Sequence, residues 1–154
     1  MTDFYVDSSV LVKRHVTEIG SNWFKNLASS ASGNIILTSR ISVLEVYSAF
    51  NRRIREASIS VTDYAQVAAD FEFMHQNEYR IIELNASIAT RARTLLEGYA
   101  LRAYDAAQLA SALIISDLFR SVGFAPVIFL ASDHRLLSAA KSEGLATDDP
   151  NNHP

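Results

Sequence analysis

Apolar positions along the chain fall into two kinds of run. Four short stretches are almost continuously apolar and end at polar or turn-forming residues: Phe4-Tyr5-Val6, Ile35-Ile36-Leu37-Thr38, Arg80-Ile81-Ile82-Glu83-Leu84 and Val127-Ile128-Phe129-Leu130-Ala131. Runs of this kind predict buried strands. Between them the apolar residues recur at helical spacing. After Asp7, Val10-Leu11-Val12 predicts a short helical turn ending near Lys13, Arg14 and His15. A helix is expected over 18–31, with Trp23, Phe24 and Leu27 on one face and Ser32-Gly33-Asn34 as its stop. Ser39 or Ser42 caps another that runs to about Glu56, its apolar side drawn from Ile41, Leu44, Phe50 and Ile54. A third covers about 62–76, with the stripe Tyr64, Val67, Ala68, Phe71 and Met74. Asn85 caps a fourth that Gly98 ends. Residues 104–120 form the most apolar helix, with Leu109, Ala112, Leu113 and Ser116 on one stripe. A last helix runs from Asp133 to about Glu143, and Leu145-Ala146-Thr147 is a short edge strand. Residues 148–154 are expected to fray.

Strands alternating with helices predict an α/β fold whose mainly parallel sheet, of four or five strands, is covered by helices on both faces. There is no internal repeat and no linker, so residues 1–150 read as one domain followed by a polar tail, 151–154. The chain has 154 residues, of which 49% are hydrophobic and 20% charged, which is enough to build a full core and excludes a largely disordered chain. A net charge of −3 argues against holding nucleic acid by bulk electrostatics alone, though not against local basic patches. Cysteine is absent, so neither disulfides nor thiolate chemistry enter. No signal peptide or membrane-length apolar run is visible, and a cytoplasmic protein is expected.

Four acids do not fit a solvated surface role. Asp7 ends the first strand and Asp133 follows the fourth, so the two point into one crevice if those strands are neighbours in a parallel sheet. Glu45 lies beside Leu44 and one turn after Ile41. Asp105 sits in the first turn of the most apolar helix, one turn before Leu109. A carboxylate on such a face costs free energy unless compensated, and the helix N-terminus compensates Asp105 only in part. Two carboxylates about 4 Å apart repel by roughly 4 kcal/mol at an effective dielectric near 20. A cluster therefore needs protons, basic partners or a cation, and hard divalent cations such as magnesium take oxygen ligands of this kind. The competing account pairs each acid separately with an arginine, for which Arg40, Arg52 and Arg102 are available.

The chain resembles the PIN-domain nucleases, in particular the VapC-type toxins of toxin–antitoxin pairs. The resemblance rests on Phe4-Tyr5-Val6-Asp7-Ser8-Ser9, on Ser39-Arg40-Ile41-Ser42-Val43-Leu44-Glu45-Val46, on Leu101-Arg102-Ala103-Tyr104-Asp105-Ala106-Ala107-Gln108-Leu109-Ala110, and on Phe129-Leu130-Ala131-Ser132-Asp133 with the following Arg135-Leu136-Leu137 and Glu143-Gly144-Leu145. It implies a three-layer α/β/α fold in which Asp7, Glu45, Asp105 and Asp133 match the family's acidic quartet and hold Mg2+ (Mn2+ being an alternative), directly or through water. Ser8 matches the hydroxyl residue that follows the first acid, and it equally suits a plain helix cap. Relatives often carry threonine or serine two residues before the fourth acid. This chain has Ala131 there, with Ser132 beside it.

The resemblance further implies hydrolysis of RNA by metal-activated water, leaving a 5′-phosphate and a 3′-hydroxyl, together with a VapB-type antitoxin partner and a homodimer. Lys13, Arg14, Arg40, Arg52, Arg102 and Arg135 are candidates for positioning the RNA backbone, and Arg52-Arg53-Arg55 is the densest basic group. His134, His75 and His153 read as incidental, and His15 as at most near the cleft mouth. A haloacid-dehalogenase-type phosphatase needs a second acid where Ser9 stands. A phospho-acceptor receiver needs an isolated aspartate where Leu84-Asn85 stands. A catalytically inactive PIN fold, acting as an RNA-binding or scaffold module, and a non-toxin PIN nuclease remain as alternatives.

Overall fold

The structure, a computed structural model, describes residues 1–154. Five strands form one parallel sheet: β1 (Asp3–Val6), β2 (Ile35–Ser39), β3 (Tyr79–Ile82), β4 (Ile128–Leu130) and β5 (Ala146–Asp148), in the order β3-β2-β1-β4-β5. Phe4 pairs with Ile36 on one side and with Ile128 on the other. The chain therefore builds outward from β1 in one direction through β2 and β3, then crosses to the other side of β1 for β4 and β5. The reversal puts a crevice at the carboxyl ends of β1 and β4, the usual ligand position in open α/β sheets.

Seven helices cover the sheet: α1 (Ser8–Leu11), α2 (Ser21–Leu27), α3 (Arg40–Arg55), α4 (Val61–Asn77), α5 (Ala86–Gly98), α6 (Ala103–Ser121) and α7 (His134–Ser142). Alternation along the strands divides the core in two. Tyr5, Leu37 and Phe129 face α5, α6 and α7, where they meet Ile88, Leu95, Leu109, Leu113 and Leu136. Val6, Ile36 and Leu130 face α1 to α4, where they meet Leu11, Phe24, Val46, Phe50 and Phe71. Three layers follow from this period-two pattern, as the sequence implies. Tyr5 and Phe129, neighbours on adjacent strands, stack with ring centroids 5.6 Å apart.

The capping chemistry matches the sequence closely. Ser39 accepts from the Ile41 N–H and starts α3, and Asn85 accepts from the Ile88 N–H and starts α5. Ser60 and Asp63 form a reciprocal capping box on α4. Three expectations are corrected. The helix expected over 18–31 is only the seven-residue α2, followed by a 3-10 turn at Ser30–Ser32. Its entry is set by Gly20, whose left-handed φ of 81° brings it so close to Pro150 that a Cβ there would stand 2.2 Å from the Pro150 carbonyl oxygen. Leu44, expected on the apolar side of α3, is 71% exposed, because the stripe that packs is Val43, Val46 and Phe50.

The tail does not fray. Pro150–Asn152 form a 3-10 turn capped by the buried Asp149, and His153 stacks on Trp23 with centroids 4.1 Å apart. Aromatic stacking and a capped turn order this segment. No helix is long and apolar enough to cross a membrane.

Candidate active site

The crevice between β1 and β4 is held together by backbone and hydroxyl bonds, two of them accepted by the Asp7 carboxylate. The Asp7 N–H donates to the Leu130 carbonyl at 2.9 Å, so the two strand ends stay paired. Asp7 is the N-cap of α1 and only 4% exposed. Its Oδ2 accepts from the Ser9 N–H at 3.2 Å and from the Ser9 hydroxyl at 2.6 Å. The Ser9 Oγ in turn accepts from the Ser132 N–H at 3.2 Å. A continuous link therefore runs from the end of β4 to Asp7. Ser9 holds this carboxylate, whereas Ser8 lies toward Glu45. Ser132 contributes through its backbone, and its buried Oγ has no partner.

Glu45 projects from α3 with Ser42 one turn before it, and Asp105 from the first turn of α6 with Gln108 one turn after it. Positions three apart share a helix face, so the two pairs meet where α3 and α6 converge on the sheet. Gln108 donates to Glu45 Oε1 at 3.0 Å and to the Ser42 hydroxyl at 2.6 Å. Asp133 caps α7 through the Leu136 N–H at 2.9 Å and is exposed at the rim. It therefore has the second duty, as a helix cap, that its sequence position allows.

The carboxylates perturb one another. Burial raises Asp7 above the usual carboxylate range, against the Ser9 bonds that favour its charge, and the Asp105 charge adds to the rise. Glu45 is pushed up to about 7, by burial first, then by the charge of Asp7 and, more weakly, that of Asp105; the Gln108 bond opposes this. Asp105 is raised by burial and by Asp133. Each acid is thus coupled to another, which joins all four into one electrostatic unit. They do not close into a cage: no three His, Cys, Asp or Glu side chains stand together in ligating geometry. The donor set is nevertheless all oxygen, negatively charged and partly dehydrated, which fits a hard divalent cation that keeps several of its waters.

Beside this unit an open groove of about 630 Å³ runs from Ser8, Ser9 and Glu45, past Leu44 and Tyr104, to Arg52 and Arg53. Leu44 and Tyr104 are 71% and 58% exposed there. Of the candidate basic residues, Arg52 lines the groove with its side chain largely in solvent. Arg102 and Arg135 are exposed within one helical turn of Asp105 and Asp133 in sequence. Arg40 is half exposed but forks onto Glu83, with its closest contact at 2.5 Å.

Two residues expected to face RNA are engaged inside the fold. Lys13 is 3% exposed, and its ammonium donates to Glu18, to the Ile19 carbonyl and to Asn151. Arg14 pairs with Glu78 at 2.7 Å and lies over the Tyr79 ring. Buried cations require such partners, so neither is free for phosphate. His15 packs edge-on against Phe50 and Phe71, where burial lowers its pKa to about 4. It packs against the core on that side of the sheet.

Sequence reasoning missed Ser9, Gln108 and Tyr104. For Gln108 a signal was available: it is the single amide in the otherwise small or apolar run Ala106–Leu113, where a buried polar group demands a partner.

The family model described as the PIN domain matches residues 4–121, a span that holds Asp7, Glu45 and Asp105 and stops short of Asp133. Ribonuclease VapC45 of Mycobacterium tuberculosis is 33% identical over 113 residues, covering 73% of this chain and 76% of that protein. Among solved structures, VapBC2 of Rickettsia felis bound to a promoter DNA fragment superposes with a TM-score of 0.62 at 13% identity, covering 96% of this chain and 98% of that one. A toxin–antitoxin complex of Klebsiella pneumoniae gives 0.61 at 18% identity, covering 96% and 97%. With the matching domain spread over most of the chain and a VapC relative at one-third identity, this protein belongs to the PIN-domain family, in its VapC branch.

Proposed function

We propose that the protein is a magnesium-dependent endoribonuclease and the toxin of a toxin–antitoxin pair. One observation carries the reading. Four acids from four separate stretches of chain converge around the topological switch of a parallel sheet, and burial, with the charges of Asp7 and Asp105 adding to it, raises Glu45 to about 7. A structural role does not account for an assembly of like charges that destabilises itself; a cation binding site does. The family and the ribonuclease named among the relatives support RNA as the substrate. The toxin–antitoxin complex among the fold neighbours supports a VapB-type antitoxin as the partner. A homodimer in the cytoplasm fits the same reading.

In this mechanism Asp7, Asp105 and Asp133 would hold Mg2+, or Mn2+ in its place, with Glu45 as a further ligand directly or through water. When bound, the cation lowers the pKa of a coordinated water and offsets charge building on the phosphate. The chain's own residues do the rest. The Ser9 bonds fix one carboxylate oxygen of Asp7 at the end of the strand. Glu45, pushed up to about 7, is the acid that can hold or release a proton at the crevice near neutral pH. Arg52, at the far end of the groove, can seat the backbone of a strand whose scissile phosphate lies at the acids. The exposed Tyr104 ring offers a face for an unstacked base, a contact that favours single-stranded or loop RNA.

The test compares RNA cleavage by wild type and Asp7→Asn, each in Mg2+ and in EDTA. Cleavage is expected only for wild type with the metal. Equal cleavage in all four conditions refutes the reading. If no cleavage occurs in any of them, a metal-free RNA-binding or scaffold module takes its place.

A further inference from the structure

Glu45 stands on a helix whose neighbouring groove is open, yet its carboxylate is held from behind by a fully buried amide. Gln108 is 0% exposed, and every strong hydrogen-bonding group it has is used. Its Nε2 donates one hydrogen to Glu45 Oε1 at 3.0 Å and the other to Ser42 Oγ at 2.6 Å. Its Oε1 accepts the Tyr5 hydroxyl at 2.6 Å. Tyr5 is itself 0% exposed, on the central strand.

An amide has two orientations related by a flip, and only one of them presents a donor to a carboxylate. The partners on its two sides decide between them. The Tyr5 hydroxyl donates to the amide oxygen at 2.6 Å, whereas an ionised Glu45 carboxylate can only accept, so the oxygen lies on the Tyr5 side. The Nε2 is then obliged to face Ser42 and Glu45. The flipped amide would set its oxygen against the Glu45 carboxylate and its N–H2 against the Tyr5 hydroxyl.

We propose that Gln108 is the positioning residue for Glu45: locked in one orientation by Tyr5, it holds the carboxylate at the angle needed to take part in a divalent cation site. The relay runs from β1 through α6 to α3, so the strand that ends in Asp7 also sets the geometry of Glu45. The two carboxylates are thereby registered to the same rigid element. This rests on the metal-dependent reading above and adds to it two residues, Tyr5 and Gln108, that touch neither substrate nor metal.

The test uses Gln108→Met, which keeps the length and removes the hydrogen bonds, and Tyr5→Phe, which removes one oxygen, with the double variant. Mn2+ affinity is measured by calorimetry without RNA, and kcat and KM for RNA separately. Circular dichroism and thermal melting report folding. Partners of this kind behind a metal ligand are worth about 10–100-fold in metal affinity or activity. Gln108→Met is expected to lose Mn2+ affinity and kcat by about that factor with KM for RNA little changed. Tyr5→Phe is expected to lose less, in the same direction. The double variant is expected to match Gln108→Met, because Tyr5 acts only through that amide.

A folded Gln108→Met with wild-type Mn2+ affinity and kcat overturns the proposal, and so do losses that add in the double variant. Should Gln108→Met fail to fold, Tyr5→Phe decides: unchanged Mn2+ affinity overturns the proposal, and weakened affinity with unchanged folding supports it. A wild type that neither binds Mn2+ nor cleaves RNA refutes the nuclease reading itself. A wild type that does both, with variants that match it, refutes only the positioning role.

Discussion

Replacing Glu45 with glutamine removes one charge from the acidic cluster and leaves an oxygen that can still accept from Gln108. An ordinary glutamate titrates near 4.5, and Glu45 near 7. At about 1.4 kcal/mol per pH unit that gap corresponds to roughly 3 kcal/mol, and solvent access to the half-buried side chain reduces it to about 1–2 kcal/mol. The direction follows from linkage. Between pH 4.5 and 7 the folded protein holds this proton more tightly than the unfolded chain does. Its stabilising effect is complete below 4.5 and is lost as pH rises through 7. The metal-free wild type should therefore weaken across that window more than Glu45→Gln, in which only Asp7 and Asp105 keep raised values.

For a chain of this length the difference corresponds to about 3–6 °C in melting temperature. Scanning calorimetry in EDTA should find the two proteins nearly equal near pH 4.5 and the variant more stable at pH 8. Mn2+ at about a hundred times its Kd should then return about 2.7 kcal/mol to the wild type and clearly less to the variant. A wild type as stable as Glu45→Gln at pH 8 in EDTA, relative to pH 4.5, refutes the idea that the acids strain the fold for the sake of a cation.

The remaining predictions separate residues that the sequence placed together. Ser9→Ala deprives Asp7 of a charge-assisted bond and should cost about 1–3 kcal/mol of stability in urea unfolding along with much of the RNA cleavage; Ser8→Ala should cost clearly less on both counts. Lys13→Met removes a buried ammonium with three partners and should destabilise by about 2–3 kcal/mol, whereas Arg52→Ala should melt like wild type. Fluorescence anisotropy with a single-stranded RNA should show the opposite ranking, Arg52→Ala losing affinity and the folded fraction of Lys13→Met keeping it.

The sequence by itself determined the layers and the order of elements. Period-two and helical spacing are local properties, and caps such as Ser39, Ser60 with Asp63, and Asn85 act within one turn. Asp7 and Asp133 were legible for the same reason: one follows a continuously apolar strand directly and the other closely, and parallel strands bring their carboxyl ends to one edge. Glu45 and Asp105 stood out because a charge beside an apolar stripe needs a compensating partner. Contacts between distant parts of the chain could not be read in this way. Lys13 looks like a surface cation until Asn151, 138 residues away, closes over it. Leu44 looks like core until the packing of α3 chooses Val43, Val46 and Phe50 instead. Ser8 and Ser9 are equivalent as letters, and only the start of α1 at Ser8, with Asp7 as its cap, turns the Ser9 hydroxyl onto that carboxylate. The amide of Gln108 finds Glu45 across 63 residues and Tyr5 across 103. Local pattern decides which residues are buried or charged, but the docking of α3 and α6 on the sheet decides which of them meet.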